Sequence, residues 1–319
     1  MEQQLLPQIA IVLPCYNEAL ALPTTANVLI ELIDGMVKQK LVASSSFILC
    51  CDDGSKDNTW EIIRELNLKD NRIKGISLAH NRGHQYVLMA GLMTVKDKCD
   101  AVITIDADLQ DDPQAIIKMV EDFNLGKEIV YGVRNCRNSD TWLKRNSAHG
   151  FYSLQKIMGL ETIFNHADYR LMSNRALHLL SEYKESNLFL RGIIPQLGLD
   201  TSIVTYERKE RIAGKSKYTL RKMLSFSIDG ITSFSAKPIR MIFVVGLILL
   251  LIDVAVGVYV LISYFSNTSI SGWASIMLSV WFLGSLILMS IGIVGEYIGK
   301  IFIEVKHRPH FAIKETLLD

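Results

Sequence analysis

Short apolar segments alternate with helix-like segments over residues 9–134, and this alternation restricts the possible folds more than any other feature of the sequence. Strands are predicted at residues 9–14, 47–51 and 73–78, in a run that begins at Ala101, and at 129–132. Helices are predicted at about residues 23–38, 59–66 and 84–95, and after Pro113. Strands that alternate with helices predict an α/β fold with a mainly parallel sheet covered on both faces.

The carboxyl ends of parallel strands meet at one edge of a sheet, where such folds bind their ligands. Asp106 and Asp108 follow the fourth strand and flank an alanine, so in an extended segment both side chains point the same way. Two converging carboxylates favour a divalent cation, Mg²⁺ or Mn²⁺, with phosphate oxygens as further ligands. Alternatively, Asp-x-Asp is a common tripeptide, and the following Asp-Asp-Pro is simply a turn and a helix start.

The loop after the first strand argues against a dinucleotide-dependent redox enzyme. Such an enzyme carries Gly-x-Gly-x-x-Gly at this point, whereas residues 14–18 read Pro-Cys-Tyr-Asn-Glu. The formal net charge of +1 gives no reason to expect nucleic acid as a partner. A single nucleotide, held by carboxylates and a metal, is the favoured ligand class.

Hydrophobic residues make up 49% of the chain, and most of the excess lies after Pro238. Two transmembrane helices are predicted at residues 239–265 and 273–298, each long enough for a bilayer core of ~30 Å. An interfacial amphipathic helix is predicted before them, at 223–237. The expected organisation is a cytoplasmic domain (1–222), this interfacial helix (223–237), two transmembrane helices (238–300) and a cytoplasmic tail (301–319).

Basic residues flank both predicted spans and predict their orientation. Lys237 and Arg240 precede the first span, and Lys300, Lys306 and Arg308 follow the second. Because positive charge is retained in the cytoplasm, both termini and the amino-terminal domain are expected on the cytoplasmic side of the plasma (inner) membrane. The protein is therefore predicted to be a multi-pass membrane protein.

Four motifs occur in a fixed order: Leu-Pro-Cys-Tyr-Asn-Glu at 13–18, Asp-Asp-Gly-Ser at 52–55, Asn-Arg-Gly at 81–83 and Asp-Ala-Asp-Leu-Gln-Asp-Asp-Pro at 106–113. Together they resemble the inverting nucleotide-sugar transferases of glycosyltransferase family two, which have the Rossmann-like, A-type glycosyltransferase fold. The last motif resembles the polyprenyl-phosphate branch, which includes dolichyl-phosphate mannose synthase and the bactoprenol glucosyltransferases. The endings Gly-Glu-Tyr-Ile-Gly-Lys at 295–300 and Glu-Val-Lys-His-Arg-Pro at 304–309 are similar to the bactoprenol enzymes.

The resemblance implies a role for each matching residue on the donor side. A divalent metal would be held against the donor diphosphate, and the residue that ends the fifth strand, Arg134, would face a phosphate. Two other interpretations stay open: Glu18 caps a helix and has no further role, and Arg134 pairs with an acid and has no further role. The implied nucleotide-binding residues are Pro14, Tyr16, Glu18, Asp52, Asp53 and Asp106, and the implied metal ligands are Asp106, Asp108 and Gln110.

On the acceptor side, the Asp-Tyr-Arg-Leu sequence at 168–171 resembles a family motif whose aspartate is the usual candidate base. A phosphate monoester has a second pKa near 6, so a lipid-phosphate acceptor is already largely ionised at neutral pH. Asp168 would therefore orient the acceptor more than deprotonate it. Alternatively, Asp168 simply pairs with Arg170 or another cation. The resemblance also implies that a basic segment with Lys144 and Arg145 approaches the acceptor phosphate, although a charged helix start explains it equally well. It further implies a mobile loop at 211–218 that closes over the donor and the acceptor, although adhesion to the lipid surface explains most of the basic residues there. The implied phosphate ligands are Arg134, Lys144, Arg145, Ser147, Arg211, Ser216 and Lys217, and the implied catalytic set is Asp168, Asp108, Arg134 and Arg211.

The predicted activity is the inverting transfer of one sugar from a nucleotide sugar to polyprenyl (undecaprenyl) phosphate at the cytoplasmic membrane face, for modification of cell-envelope glycans. Similarity to the glucosyl branch favours UDP-glucose. A processive polysaccharide synthase is an alternative, but its Gln-x-x-Arg-Trp sequence is not found. A small transporter or flippase subunit is a second alternative, for which two spans with one acid, Asp253, make a poor pathway. For Asp253 itself two roles stay open: pairing of helices in a homo-oligomer and contact with a lipid head group.

Overall fold

The computed structural model describes residues 6–135, 166–185, 188–207 and 272–318, together with scattered residues between 239 and 258. The chain divides into two compact units. The first comprises Met1–His149, Glu161–Tyr218 and Arg308–Asp319, and the second comprises Gly150–Leu160 and Thr219–His307. The predicted interfacial helix at 223–237 lies outside the described residues.

The first unit is organised around a mixed sheet that, in the described residues, has eight strands in the order β7-β5-β6-β4-β1-β2-β3-β8. Strands β6 and β8 run antiparallel to their neighbours, and the other neighbouring pairs are parallel. The predicted α/β fold with a mainly parallel sheet is confirmed. The strands are β1 (Ile9–Cys15), β2 (Phe47–Asp52), β3 (Ile73–Leu78), β4 (Ala101–Thr104), β5 (Ile129–Arg134), β6 (His166–Ser173), β7 (Thr201–Tyr206) and β8 (Ile313–Leu317).

Helices connect the strands, and their ends follow local sequence signals. In the first helix a proline stands in the opening turn, where its missing N–H costs nothing, and Leu22, Leu29, Ile33 and Met36 are buried. The helices of this unit are α1 (Leu22–Lys38), α2 (Thr59–Lys69), α3 (His84–Val95), α4 (Ala115–Asn124), α5 (Asn174–Glu182) and α6 (Leu190–Ile193), the last followed by a 3₁₀ turn at Ile194–Leu197.

The central strands are apolar because helices cover them on both faces. Strand β2 is buried along its whole length, and β1 along all but one residue. Continuous apolar runs of this kind are typical of parallel strands in α/β proteins. Four cysteines (Cys15, Cys50, Cys51 and Cys99) are free and buried in this core, as reduced thiols are expected to be.

Strand β6 is an element that the alternation of strands and helices did not predict. It lies between β4 and β5 and is antiparallel to both. Its register pairs Thr104 with Arg170, so Asp168 extends past the carboxyl end of β4. An antiparallel strand therefore brings its beginning, with Asp168, to the edge where the parallel strands end.

The carboxyl-terminal segment also contributes a strand to this sheet. Strand β8 is antiparallel to β3, with Gly75 opposite Leu317 and Ser77 opposite Glu315. Just beyond β3, the Ala79 N–H donates to the carbonyl of Ala312, at 2.9 Å. The sequence predicted only a tail at 301–319, whereas the structure makes its last residues part of the first unit.

The second unit contains a 33-residue helix, α7 (Trp273–Val305). Its Phe282–Val305 portion is long and apolar enough to cross a membrane and is the one such span among the described residues. The helix coincides with the second predicted span and continues past Ile298. Of the first predicted span, the described residues between 239 and 258 are helical, while Asp253 lies outside the described set.

Candidate functional site

Two loops at the carboxyl ends of β1 and β2 are bound to each other. The Asn17 N–H donates to the Ser55 hydroxyl at 2.9 Å, and the Lys56 N–H donates to the Asn17 side-chain oxygen at 2.9 Å. Asn17 has a φ of 54°, in the left-handed region that asparagine tolerates better than most residues. The predicted nucleotide residues Pro14, Tyr16 and Glu18 are half-buried along this paired loop.

Asp52 and Asp53 are buried, and both carboxylates accept hydrogen bonds from nearby residues of the sheet edge. Asp52 accepts from the Ser77 hydroxyl at 2.9 Å and the Ser55 N–H at 3.1 Å. Asp53 accepts from the backbone N–H groups of Arg82 at 2.7 Å and Gly83 at 2.8 Å. Burial raises the pKa of Asp53, although these two donors partly oppose the rise. The pair thus fixes the loops around the predicted nucleotide site.

The segment that carries Asp106 and Asp108 is a turn. An extended segment is expected here from the sequence, but β4 ends at Thr104, and the chain turns at Ala107 and Asp108. The Ala107 carbonyl accepts from the Thr25 hydroxyl at 2.7 Å, which ties this turn to α1. The shared direction expected from an extended strand therefore does not apply.

The turn nevertheless presents carboxylate oxygens at the sheet edge. The Asp106 side chain is 44% exposed. Although the side chain is partly exposed, desolvation of its carboxyl group by the surrounding protein raises its pKa, and the negative charges of Asp111, Asp168 and Asp108 add to the rise, while His84 lowers it. The Asp108 carboxylate accepts from the Gln110 N–H at 3.2 Å.

Within the described residues, no three His, Cys, Asp or Glu side chains converge to form a complete metal site. Mg²⁺ is, however, commonly held by one or two carboxylates, with water and substrate phosphates supplying the other ligands. The exposed carboxylate of Asp106, with its surplus of nearby negative charge, fits a hard cation that arrives with a diphosphate. Asp106, Asp108 and Gln110 thus supply oxygen donors of the right chemistry.

Asp168 is almost completely buried and has two arginines and a histidine as partners. Arg170 contacts one carboxylate oxygen at 2.5 Å, and Arg191 binds both oxygens, at 3.2 and 3.0 Å. The His84 Nε2 lies 3.3 Å from Asp168 Oδ2. Burial alone would raise the pKa of Asp168, but Arg191, His84 and Arg170 together hold it well below its usual range. The carboxylate is therefore ionised and weakly basic.

The first turn of α3 connects Asp168 to the Asp106 turn. His84 Nε2 is 4.0 Å from Asp106 Oδ1 as well as 3.3 Å from Asp168. Burial lowers the pKa of His84, but the two carboxylates more than compensate, so the net direction is upward. The Gln85 amide donates to Asp168 at 3.4 Å and accepts from the Leu190 N–H at 3.0 Å, which positions the start of α6.

His84, Gln85 and Arg191 belong to the site but were not predicted from the sequence. His84 and Gln85 directly follow the Asn-Arg-Gly motif at 81–83, so their proximity to a recognised motif was the available signal. Arg191 lies in a four-residue helix with no motif around it, and only the tertiary structure brings it to Asp168.

Arg134 pairs with an acid, as the alternative interpretation of the sequence anticipated. Its guanidinium lies 3.0 Å from the buried carboxylate of Asp111, and the Tyr206 hydroxyl donates to the same carboxylate at 2.7 Å. The Arg134 side chain is 28% exposed. Its predicted contact with a phosphate stays a prediction.

The remaining predicted acceptor ligands lie outside the described residues. They are Lys144, Arg145, Ser147, Arg211, Ser216 and Lys217. Their roles stay predictions. The described site therefore consists of the loop pair at β1 and β2, the Asp106 turn, and the group around Asp168.

A mainly parallel sheet, with loops and carboxylates gathered at its carboxyl edge, defines an α/β enzyme of the A-type glycosyltransferase class. Residues 10–180 match the family described as Glycosyl transferase family 2, and the chain belongs to that family. The resemblance inferred from the four motifs is thereby confirmed.

The chain is similar to several relatives over nearly its whole length. It is 49% identical to the uncharacterized glycosyltransferase YkoT of Bacillus subtilis (strain 168), covering 96% of this chain and 91% of the relative. It is 37% identical to the SfII prophage-derived bactoprenol glucosyl transferase of Shigella flexneri, covering 97% and 98% of the two chains. The prophage bactoprenol glucosyl transferase homolog of Escherichia coli (strain K12) is 36% identical, with 97% and 99% covered.

Proposed function

We propose that this protein transfers glucose from UDP-glucose to undecaprenyl phosphate at the cytoplasmic face of the plasma membrane. Inversion at the anomeric carbon would give a β-linked polyprenyl-phosphate sugar from the α-linked donor. The observation that carries the proposal is the contact of His84 with both Asp106 and Asp168. This contact joins the carboxylate turn suited to a donor diphosphate to a cation-rich group suited to an anionic acceptor.

The chemistry requires few proton transfers from the protein. An oxygen of the lipid phosphate forms a bond to the anomeric carbon, and the bond from that carbon to the diphosphate breaks, releasing UDP. Because the second pKa of a phosphate monoester is near 6, the nucleophile is already largely a dianion at neutral pH. The strongly lowered pKa of Asp168 agrees with a role in orientation and not in deprotonation. Electrostatic stabilisation is expected to supply most of the rate enhancement.

A divalent cation, Mg²⁺ or Mn²⁺, is proposed as the cofactor, held by Asp106, Asp108 and Gln110. When bound, it would neutralise charge on the departing diphosphate. The loops fixed by Asp52 and Asp53 would orient the nucleoside, since they border the same edge of the sheet.

The lipid acceptor is supported by two independent observations. Relatives with 36–37% identity over nearly the whole chain are named bactoprenol glucosyl transferases. In addition, α7 presents large apolar side chains to the surroundings, among them Leu288 and Ile287, as a membrane-spanning helix does. We propose a multi-pass arrangement with both termini in the cytoplasm, based on the basic residues that flank the two predicted spans.

The test is a reconstituted reaction with the full-length protein in detergent or nanodiscs. Undecaprenyl phosphate and Mn²⁺ or Mg²⁺ are combined with UDP-glucose, other UDP-sugars or GDP-mannose in parallel, and the lipid fraction is analysed by mass spectrometry. Formation of glucosyl-phosphoryl-undecaprenol only in the UDP-glucose reaction supports the proposal. Transfer from another donor corrects the sugar or nucleotide, and the absence of a lipid-linked sugar with every donor refutes the function.

The same experiment addresses the rival functions. A processive polysaccharide synthase would extend a chain of many sugars, whereas the proposed enzyme adds a single hexose to each lipid. A transporter or flippase subunit would move lipid or solute across a vesicle membrane without forming a new glycosidic bond. The mass of the lipid product separates these outcomes.

A further inference from the structure

We propose that Arg191 is an acceptor-binding residue whose guanidinium binds the phosphate of the lipid substrate, and that Asp168 is the positioning residue that holds it in place. This inference rests on the proposed function, since it names the group that receives the phosphate acceptor. Arg191 is a phosphate ligand that lies within the described residues and that the sequence motifs did not indicate.

Two arginines pair with the single carboxylate of Asp168. The buried Arg170, which is 1% exposed, already supplies one positive charge to this carboxylate, at 2.5 Å. Arg191 adds a second full positive charge, and His84 contacts the same carboxylate from α3. The carboxylate of Asp168 is therefore paired with two arginines, and arginine is a residue that binds carboxylate and phosphate oxygens with high geometric specificity.

The accessibility of the two partners indicates where that anion would bind. The Asp168 side chain is 7% exposed, whereas that of Arg191 is 43% exposed. The Asp168 carboxylate is thus shielded from solvent, whereas a large part of the Arg191 side chain is accessible. A planar guanidinium carries five N–H donors and can bind phosphate with two parallel hydrogen bonds. Because Asp168 fixes the orientation of the Arg191 guanidinium, that guanidinium is preorganised to bind an oxyanion.

Two further contacts hold this arrangement in place. The Gln85 side chain accepts from the Leu190 N–H at 3.0 Å and thereby fixes the first residue of the short helix that carries Arg191. The Thr104 hydroxyl donates to the Asp168 carbonyl at 2.5 Å, which fixes β6 against β4. A guanidinium held by rigid elements binds an anion without the entropic cost of ordering a free side chain.

The location suits the reaction. His84 lies within 4.0 Å of Asp106 and 3.3 Å of Asp168, so a phosphate on Arg191 would lie next to the carboxylates proposed for the donor diphosphate. A third described arginine of the site, Arg134, is bound to Asp111 and Tyr206.

The test measures initial rates of the full-length Arg191→Gln and Arg191→Lys proteins, with each substrate varied in turn. Arg191→Gln is expected to raise the KM for undecaprenyl phosphate about tenfold to a hundredfold, since hydrogen bonds to a charged group are lost. The KM for the nucleotide sugar is expected to stay within about twofold. Arg191→Lys is expected to be intermediate, since it retains the charge but not the two-point geometry.

Arg175→Gln is the matched control, because Arg175 is an exposed arginine of the same unit that pairs with Glu128. It is expected to behave as the wild type. An unchanged acceptor KM in Arg191→Gln, or a change confined to the donor KM, overturns the assignment.

Asp168→Asn distinguishes a positioning residue from a base. If Asp168 acts by holding Arg191, Asp168→Asn raises the acceptor KM, and combining it with Arg191→Gln adds little further, because coupled residues are not additive. A loss of kcat with an unchanged acceptor KM contradicts the positioning role.

A binding measurement separates this inference from the proposed function. Farnesyl phosphate, as a soluble probe, is titrated into wild-type protein and Arg191→Gln in the absence of donor. Binding to the wild type that weakens at least tenfold in the variant supports the assignment, even if the donor sugar has been misidentified. Equal binding to both proteins, or no binding to the wild type, overturns it.

Discussion

The indole nitrogen of Trp60 donates a hydrogen bond of 3.1 Å to the carboxylate of Glu315, across 255 positions of sequence. Arg64 pairs with the same carboxylate. Helix α2 and strand β8 are thereby joined, and the carboxyl-terminal residues become part of the first unit's sheet. The chain end is a structural element of the enzyme's α/β domain.

Removal of residues 311–319 is therefore expected to destabilise this domain. The backbone groups of β3 that pair with β8 would lose their partners, at about 1 kcal/mol for each hydrogen bond. The measurement is thermal unfolding of the truncated and intact proteins in the same detergent. An unchanged melting temperature would contradict a structural role for β8.

The bond to Glu315 is expected to depend on pH. Hydrogen bonds from Trp60 and Arg64 lower the pKa of this carboxyl, so the ionised form is favoured in the folded state. Its contribution to stability is complete above the ordinary pKa and is lost as the pH falls through the lowered value. The stability difference between wild type and Glu315→Gln should therefore shrink below pH about 4.5. Glu65→Gln, at an exposed position of α2, is the control, and a pH-independent difference would refute the expectation.

Gly54 is expected to tolerate no side chain. Its φ is 63°, and an added Cβ would lie 2.8 Å from backbone atoms of His80 and Asn81. Gly54→Ala should lower stability and weaken nucleotide-sugar binding, because the loop before α3, which contains His80 and Asn81, would have to move. Gly126→Ala measures the cost of the backbone conformation alone, because Gly126 has a φ of 96° but open space around it. It should cost only about 1–2 kcal/mol and leave donor KM unchanged; equal effects of the two variants would contradict the steric argument.

The Asp106 turn is expected to be essential for metal-dependent donor binding. Asp106→Asn and Asp108→Asn remove charge while preserving shape, and each should reduce turnover by about a hundredfold or more. The check is isothermal titration calorimetry, which measures the affinity of each protein for UDP-glucose with and without Mn²⁺. Asp97→Asn, at an exposed carboxylate, should match the wild type. A fully active Asp106→Asn/Asp108→Asn double variant would refute the metal assignment.

Asp111 is expected to contribute mainly to stability. Its buried carboxylate binds Arg134 and the Tyr206 hydroxyl, and removing its charge leaves Arg134 without its acid partner. Asp111→Asn should therefore lower the free energy of unfolding by about 3 kcal/mol. Tyr206→Phe removes one hydrogen bond to a charged group and should cost about 1.5–3 kcal/mol. Chemical denaturation measures both, and a larger loss for Tyr206→Phe would show that the ion pair is not the dominant interaction.

Local sequence patterns predicted much of the first unit. The short apolar runs at β1 to β5 and the helix-like segments between them located the strands and helices to within a few residues, because burial on both faces imposes that pattern. The motifs at 13–18, 52–55, 81–83 and 106–113 were correctly expected at a common edge, since parallel strands end on the same side. The family followed from those motifs.

Other features depend on contacts between segments that are distant in the sequence. No local pattern indicates that β6 is antiparallel between β4 and β5, or that β8 completes the sheet. The turn at Ala107 depends on Thr25, and the ionised state of Asp168 depends on Arg170 and Arg191.

The sequence by itself determined the α/β class, the family and the carboxylates that end the fourth strand. Periodic burial and strand-end chemistry are properties of neighbouring residues, which is why they can be read locally. The tertiary structure alone decided that His84, Gln85 and Arg191 surround Asp168, and that Glu315 binds Trp60. Charge compensation and hydrogen bonding depend on distances of a few ångströms, and folding sets those distances between residues far apart in the chain.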